Sequence, residues 1–177
     1  MALLYTRPMS SNTALILLDV DGVLNPDVSS GKLVLDPARA ALVHQLSSLG
    51  SIVWATSWSA ADTYHLANDL GLPGDPAAIA FPSAIQVDRR KPAPTPKLHW
   101  VDRWLDRTLI DDVDSTTPVV WIEDRLREDA YDWAQTAKRP TLLIKPDPEV
   151  GLTAEHVARV RDFLSALGDR RTSGASF

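Results

Sequence analysis

The stretch Ala14-Leu15-Ile16-Leu17-Leu18-Asp19-Val20-Asp21-Gly22-Val23-Leu24-Asn25 decides how the rest of the chain is read. Residues 14–18 are aliphatic without alternation, the pattern of a strand buried on both faces of a parallel sheet. The run stops at Asp19, so this carboxylate should emerge at the carboxyl end of that strand, the edge where open α/β sheets bind their ligands. Asp21 follows two residues on and can turn back to the same place, and Gly22 permits the tight turn this needs. The plainer alternative is a pair of turn aspartates, a common use of the residue.

Working outward, further apolar runs lie at 52–55, 77–81 (weaker), 119–122 and 141–144. Helical patterns separate them. Ala38, Ala41, Leu42, Leu46 and Leu49 share one face, with Asp36-Pro37 as N-cap and first-turn proline and Gly50 as stop. Tyr64, Ala67 and Leu70 mark a second helix ended by Gly71, and Leu98, Val101 and Leu105 a third. Leu126, Ala130, Trp133 and Ala137 mark a fourth, and Val157, Val160, Leu164 and Leu167 a fifth followed by Gly168. This order predicts an α/β fold, a parallel five-stranded sheet with helices on both faces. Six of the 13 prolines fall between Pro73 and Pro96, which reads as loop around one short strand. Residues 1–168 read as a single domain and 169–177 as a polar, frayed tail.

The bulk numbers agree with a globular protein. The chain has 177 residues, 45% hydrophobic and 23% charged, enough for one real core. With no cysteine, disulfides, thiolate metal sites and cysteine nucleophiles are excluded. The start, MALLYTRPMSSN, does not read as a signal peptide and no stretch is long enough to span a bilayer, so a cytoplasmic location is expected. A net charge of −5 disfavours general nucleic-acid binding, although a local basic patch is compatible with it.

The segment 14–25 resembles motif I of the haloacid-dehalogenase-like (HAD) superfamily, an aliphatic strand followed by DxDGV. The resemblance implies that Asp19 attacks phosphorus to form an aspartyl-phosphate and that Asp21 protonates the leaving group and then activates water. Motif II is an apolar strand ending in a hydroxyl residue that binds phosphoryl oxygens. Thr56 matches it after residues 52–55, Ser57 is the close rival, and either reads otherwise as an ordinary turn or helix cap. Trp58 stands at the site mouth, either stacking on substrate or packing beside it, whereas Trp54 and Trp121 read as core. Motif III is a lysine that neutralises charge. Lys97, 27 residues before Asp124, is preferred to Lys91. Motif IV is an acidic pair after a strand, here Glu123-Asp124. The resemblance makes Asp19, Asp21, Glu123 and Asp124 the magnesium residues, and Thr56, Ser57, Trp58 and Lys97 the substrate-binding ones. Asp124 also reads as a cap for the helix starting near Leu126, and Asp129 either as an outer-shell group of the site or, by preference, as a solvated helix residue.

The likeness spans residues 14–144, and it implies the three-layer Rossmann-like HAD fold with strand order 5-4-1-2-3. A smaller bacterial HAD group associated with RNA-repair assemblies is similar in detail. It shares a WxTSW segment (54–58), an acidic pair after a Trp-containing strand (121–124), and a Thr-Leu-Leu strand followed by Pro-Asp-Pro and Gly-Leu-Thr (141–153). The intervals 20–55 and 57–96 leave no room for a cap domain. An open site would accept small phosphate monoesters or a macromolecular end. The implied activity is that of a magnesium-dependent phosphatase. A polynucleotide-end phosphatase, favoured by Arg89, Arg90, Arg125 and Arg127, and a non-catalytic phospho-ligand or partner-binding scaffold are the alternatives. The presence of Asp21 speaks against a dehalogenase.

Overall fold

A computed structural model describes residues 14–26, 35–82, 94–110 and 116–173. The elements follow the chain as β1 (Ala14–Leu18), α1 (Pro37–Leu49), β2 (Gly50–Trp54), α2 (Ala60–Asp69), β3 (Ala77–Ala78), α3 (Leu98–Thr108), β4 (Val119–Ile122), α4 (Glu128–Thr136), β5 (Thr141–Ile144) and α5 (Ala154–Ser173). The five strands form one sheet in the order β3-β2-β1-β4-β5, every pairing parallel. This is the order 5-4-1-2-3 read from the other edge, and it puts β1 at the centre.

The aliphatic runs do what their lack of alternation predicts. Ile16, Leu18, Trp54, Val120 and Ile122 enter one apolar cluster with Val43 and Leu46 of α1, Leu66 and Ala67 of α2, and Val157 and Val160 of α5. The residues between them, Leu15, Leu17, Val53, Val119 and Trp121, enter a second cluster with Val101 and Leu105 of α3 and Ala130 of α4. The sheet is therefore the middle of three layers. Trp54 and Trp121 are fully buried, as expected, and the Trp121 ring meets Trp133 edge to face at 6.2 Å between centroids. A hydrogen bond from Trp133 Nε1 to Asp102 Oδ1 (2.8 Å) ties α4 to α3. Among the described residues no helix is long and apolar enough to cross a membrane.

The element ends differ from the sequence reading in several places. Gly50 does not terminate α1 in a left-handed turn: it is extended, with φ −171°, and is already the first residue of β2. A side chain there would meet the Ala14 carbonyl oxygen at 2.6 Å, so its lack of one is what lets β2 start against β1. The weak run at 77–81 yields only the two-residue β3, although Ile79 continues its bonding with an N–H to the Trp54 carbonyl (2.9 Å). Tyr64, read as part of the buried face of α2, is 51% exposed. Helix α4 begins at Glu128 rather than near Leu126, because 124–125 turn away from β4, so Asp124 does not cap it. Gly168 does not end the last helix either. α5 runs on to Ser173 through much of the stretch read as a frayed tail.

Gly168 has open space where a side chain would stand. Replacing a mid-helix glycine by alanine removes its entropic cost, so Gly168→Ala should stabilise the protein by about 0.5–1 kcal/mol. Urea denaturation measures this, and a destabilised variant would show that the helix ends at Gly168 after all.

Candidate active site

The carboxyl ends of β1, β2 and β4 meet at one edge, and the sheet bonding continues past them. Asp19 N–H donates to the Ile122 carbonyl (3.1 Å), Ala55 N–H to that of Leu18 (2.9 Å), and Glu123 N–H to that of Ile144 (3.1 Å). The backbones carrying Asp19, Thr56 and Glu123 are thus pinned at or one residue beyond the ladder.

After Asp19 the chain folds into a compact turn. The Val20 carbonyl receives the N–H groups of Val23, Leu24 and Asn25 at 2.8–3.2 Å, while Val20, Val23 and Leu24 are fully buried. The turn is also held from outside: Leu152 N–H donates to the Val23 carbonyl (2.8 Å). Arg39 of α1 bridges the carbonyls of Leu24 (3.4 Å) and Val150 (3.1 Å). The segment 146–153 therefore buttresses the turn bearing Asp21. Gly22 is required twice over. Its φ of +76° suits glycine, and a Cβ would lie 2.6 Å from Asp124 Cγ.

Lys97, at the N-cap of α3, is buried between two carboxylates. Its Nζ lies 2.5 Å from Asp19 Oδ2 and 2.7 Å from Glu123 Oε2, and 5.9 Å from the centre of the Phe81 ring. Asp19 Oδ1 accepts from the Val20 N–H (2.8 Å) and Glu123 Oε1 from the Arg125 N–H (3.2 Å). Burial pushes the Asp19 carboxyl above the usual carboxylate range, although Lys97 and the Val20 N–H pull it down. Burial, then the neighbouring Asp19 charge, push Glu123 well above its ordinary value against the pull of Lys97. For Lys97 burial works against the charge, but the two carboxylates outweigh it and raise the ammonium's pKa. Lys91, Arg89 and Arg90 lie outside the described residues.

Asp19, Glu123 and Asp124 each offer a carboxylate oxygen within 4.8 Å of the others. Among the described residues Asp124 Oδ1 is buried with no hydrogen-bond partner, whereas both oxygens of Glu123 have one. Two of these carboxylates share one ammonium, and the all-oxygen donor set suits a hard divalent cation such as Mg²⁺. The site residues therefore fit the ion, with Asp124 holding the uncommitted oxygen. The side chain of Asp21, expected among the ligands, lies outside this group. Its Oδ2 accepts from Trp58 Nε1 (2.9 Å) and its Oδ1 from Asn25 Nδ2 (3.3 Å). Thr56 is buried beside the end of β1, its Oγ1 accepting from the Trp58 N–H (3.4 Å), and Ser57 is exposed next to it.

Three features went unread in the sequence. Asn25 is buried against Asp21. The Trp58 indole reaches Asp21. Asp129, read as solvated, instead receives the Thr95 N–H (2.9 Å) and hydroxyl (2.7 Å), and Thr95 Oγ1 accepts the Arg127 N–H (2.9 Å). This clamp fixes the chain two residues before Lys97. No local pattern links positions 34 residues apart, so no signal in the sequence pointed to it.

The raised pKa of Glu123 has a stability consequence. A carboxyl raised in the folded state contributes stability that is full below its ordinary pKa of about 4.3 and lost as pH rises towards the folded value. In EDTA, wild type should therefore lose stability relative to Glu123→Gln between about pH 5 and about pH 8. Denaturant melts at the two values test this, and the opposite trend would show that Glu123 is stabilised as an anion.

A family model described as the HAD domain in Swiss Army Knife RNA repair proteins matches residues 15–157, from β1 into α5. No curated protein and no solved structure gives a match. The matched region holds all of the sheet but Ala14 and every residue of the carboxylate–lysine site, and the chain belongs to this family of HAD domains and so to the HAD superfamily of hydrolases.

Proposed function

We propose that the protein is a magnesium-dependent phosphatase that hydrolyses phosphate monoesters through an aspartyl-phosphate. The observation that carries this reading is the buried contact of Lys97 with Asp19, beside an Asp124 oxygen that has no partner. An ammonium against the nucleophile lowers the repulsion between two anions as the phosphoryl group approaches. An Asp19 oxygen forms a bond to phosphorus while the bond to the leaving oxygen breaks, and Asp21 gives that oxygen its proton. Water then attacks phosphorus, Asp21 takes up the proton, and the Asp19–phosphorus bond breaks to release phosphate. Asp19, Glu123 and Asp124 would hold Mg²⁺, whose charge would screen the phosphoryl oxygens when bound. Thr56, with Ser57 beside it, supplies hydroxyl and amide donors to those oxygens, and positioning supplies much of the rate.

For the substrate, the family's description favours phosphorylated nucleic-acid ends. Arg125 and Lys145 support this as exposed cations that follow β4 and β5 at the same edge. Contacts of this kind would make activity fall with salt. A binding scaffold without turnover is the weaker reading, since burying two carboxylates around one lysine beside a third is costly unless their charge is used.

The test is hydrolysis of an activated aryl phosphate with Mg²⁺ and with EDTA, in wild type and Asp19→Asn. Turnover should require Mg²⁺ and fall on the order of a thousandfold or more in the variant. Equal turnover in the two proteins would remove Asp19 from the reaction.

A further inference from the structure

Trp58 touches two of the proposed catalytic groups at once. Its backbone N–H donates to Thr56 Oγ1 (3.4 Å) and its indole Nε1 to Asp21 Oδ2 (2.9 Å), joining the end of β2 to the turn after β1. The ring is half-buried and packs on the apolar cluster shared by α1, α2 and α5. An indole N–H is donor only, so it cannot exchange roles with the carboxyl as a water or hydroxyl would. Whichever way the proton moves during the reaction, Oδ2 keeps the same partner. Among the described residues the other oxygen has only the longer bond from Asn25 (3.3 Å), so the indole is the firmer of the two anchors.

We propose that Trp58 is a positioning residue for Asp21, holding its carboxyl in the orientation for proton transfer, rather than a platform for substrate. The inference rests on the phosphatase reading, which assigns Asp21 the proton. Its polar edge is committed to Asp21 and its body is anchored in the core, so a substrate ring would have to compete with both. Losing the anchor leaves Asp21 in place but free to rotate, and a small misplacement of a reacting group costs up to about a hundredfold in rate.

Wild type, Trp58→Phe and Trp58→His are compared in rapid-mixing and steady-state assays with Mg²⁺, on an aryl phosphate with a good leaving group and on an unactivated alkyl phosphate. With the good leaving group the first step needs little acid, so Trp58→Phe should show a rapid stoichiometric burst of phenol. Turnover should then be about tenfold to a hundredfold slower, with KM falling alongside it because breakdown of the phosphoenzyme limits the rate. The alkyl phosphate should lose more and show no burst, and the histidine variant, which keeps a ring N–H, should recover part of the loss. A raised KM with kcat kept would make Trp58 a substrate platform and overturn the proposal. An equal loss on both substrates, with no burst and no recovery in the histidine variant, would reduce it to a structural residue. Should the variants not fold, the ¹⁵N–¹H resonance of the Trp58 indole in Asp21→Ala decides. It should move upfield of its wild-type position, and an unmoved resonance would overturn the contact. No turnover in wild type would count against the phosphatase reading and this role together, whereas an active wild type with an equally active Trp58→Phe would overturn the role of Trp58 alone.

Discussion

One ammonium placed between two buried carboxylates, with a third carboxylate beside them, sets the terms for the rest of the structure. Taking ions out of water costs several kcal/mol each, and the attraction between them repays this only when their geometry is tightly held. Lys97 sits within hydrogen-bonding distance of both Asp19 and Glu123. Each of those carboxylates also receives a backbone N–H from the residues just after it. The negative charge left over lies where a divalent cation fits, at the free oxygen of Asp124.

Holding that geometry falls to the centre of the sheet. Asp19 and Glu123 stand one residue past β1 and β4, and both backbones still take part in interstrand bonding. Leu15, Leu17 and Leu18 are fully buried, each worth about 1.5–3 kcal/mol of apolar transfer. Burial on this scale can offset charged groups at the strand ends. Lys97 comes from outside the sheet and needs its own support. The Asp129–Thr95–Arg127 clamp before it and the buried Val101 and Leu105 after it provide this. Asp21 likewise stands off the strand, on a turn plugged into the core by Val20, Val23 and Leu24 and braced by Leu152 and Arg39.

Much of this was legible in the chain. Continuous aliphatic runs specify strands covered on both faces because period-two alternation has no exposed face to mark. Asp19, Thr56 and the pair Glu123-Asp124 then fall just past strand ends without further information. Element ends were less legible, and the reasons are local. Gly50 looks like a helix stop, but its real constraint is the Ala14 carbonyl of a neighbouring strand. Gly168 looks like another, yet nothing in α5 requires a left-handed turn there, and the helix continues.

By itself the sequence marked the strands and the polar residues that follow them, Asp19, Thr56, Glu123 and Asp124, which depend on short-range patterns, hydrophobic runs and the residue that ends each; the likeness to HAD motifs supplied the sheet order and singled out Asp21 and Lys97. Only the tertiary structure decided what the side chains do to one another. It separated the carboxylate of Asp21 from the acidic group of Asp19, Glu123 and Asp124, turned Trp58 towards Asp21, and made Asp129 an anchor for the lysine loop. Such contacts join residues tens of positions apart through one or a few hydrogen bonds. They carry no periodicity in the chain, and only the packing of the three layers brings their partners within reach.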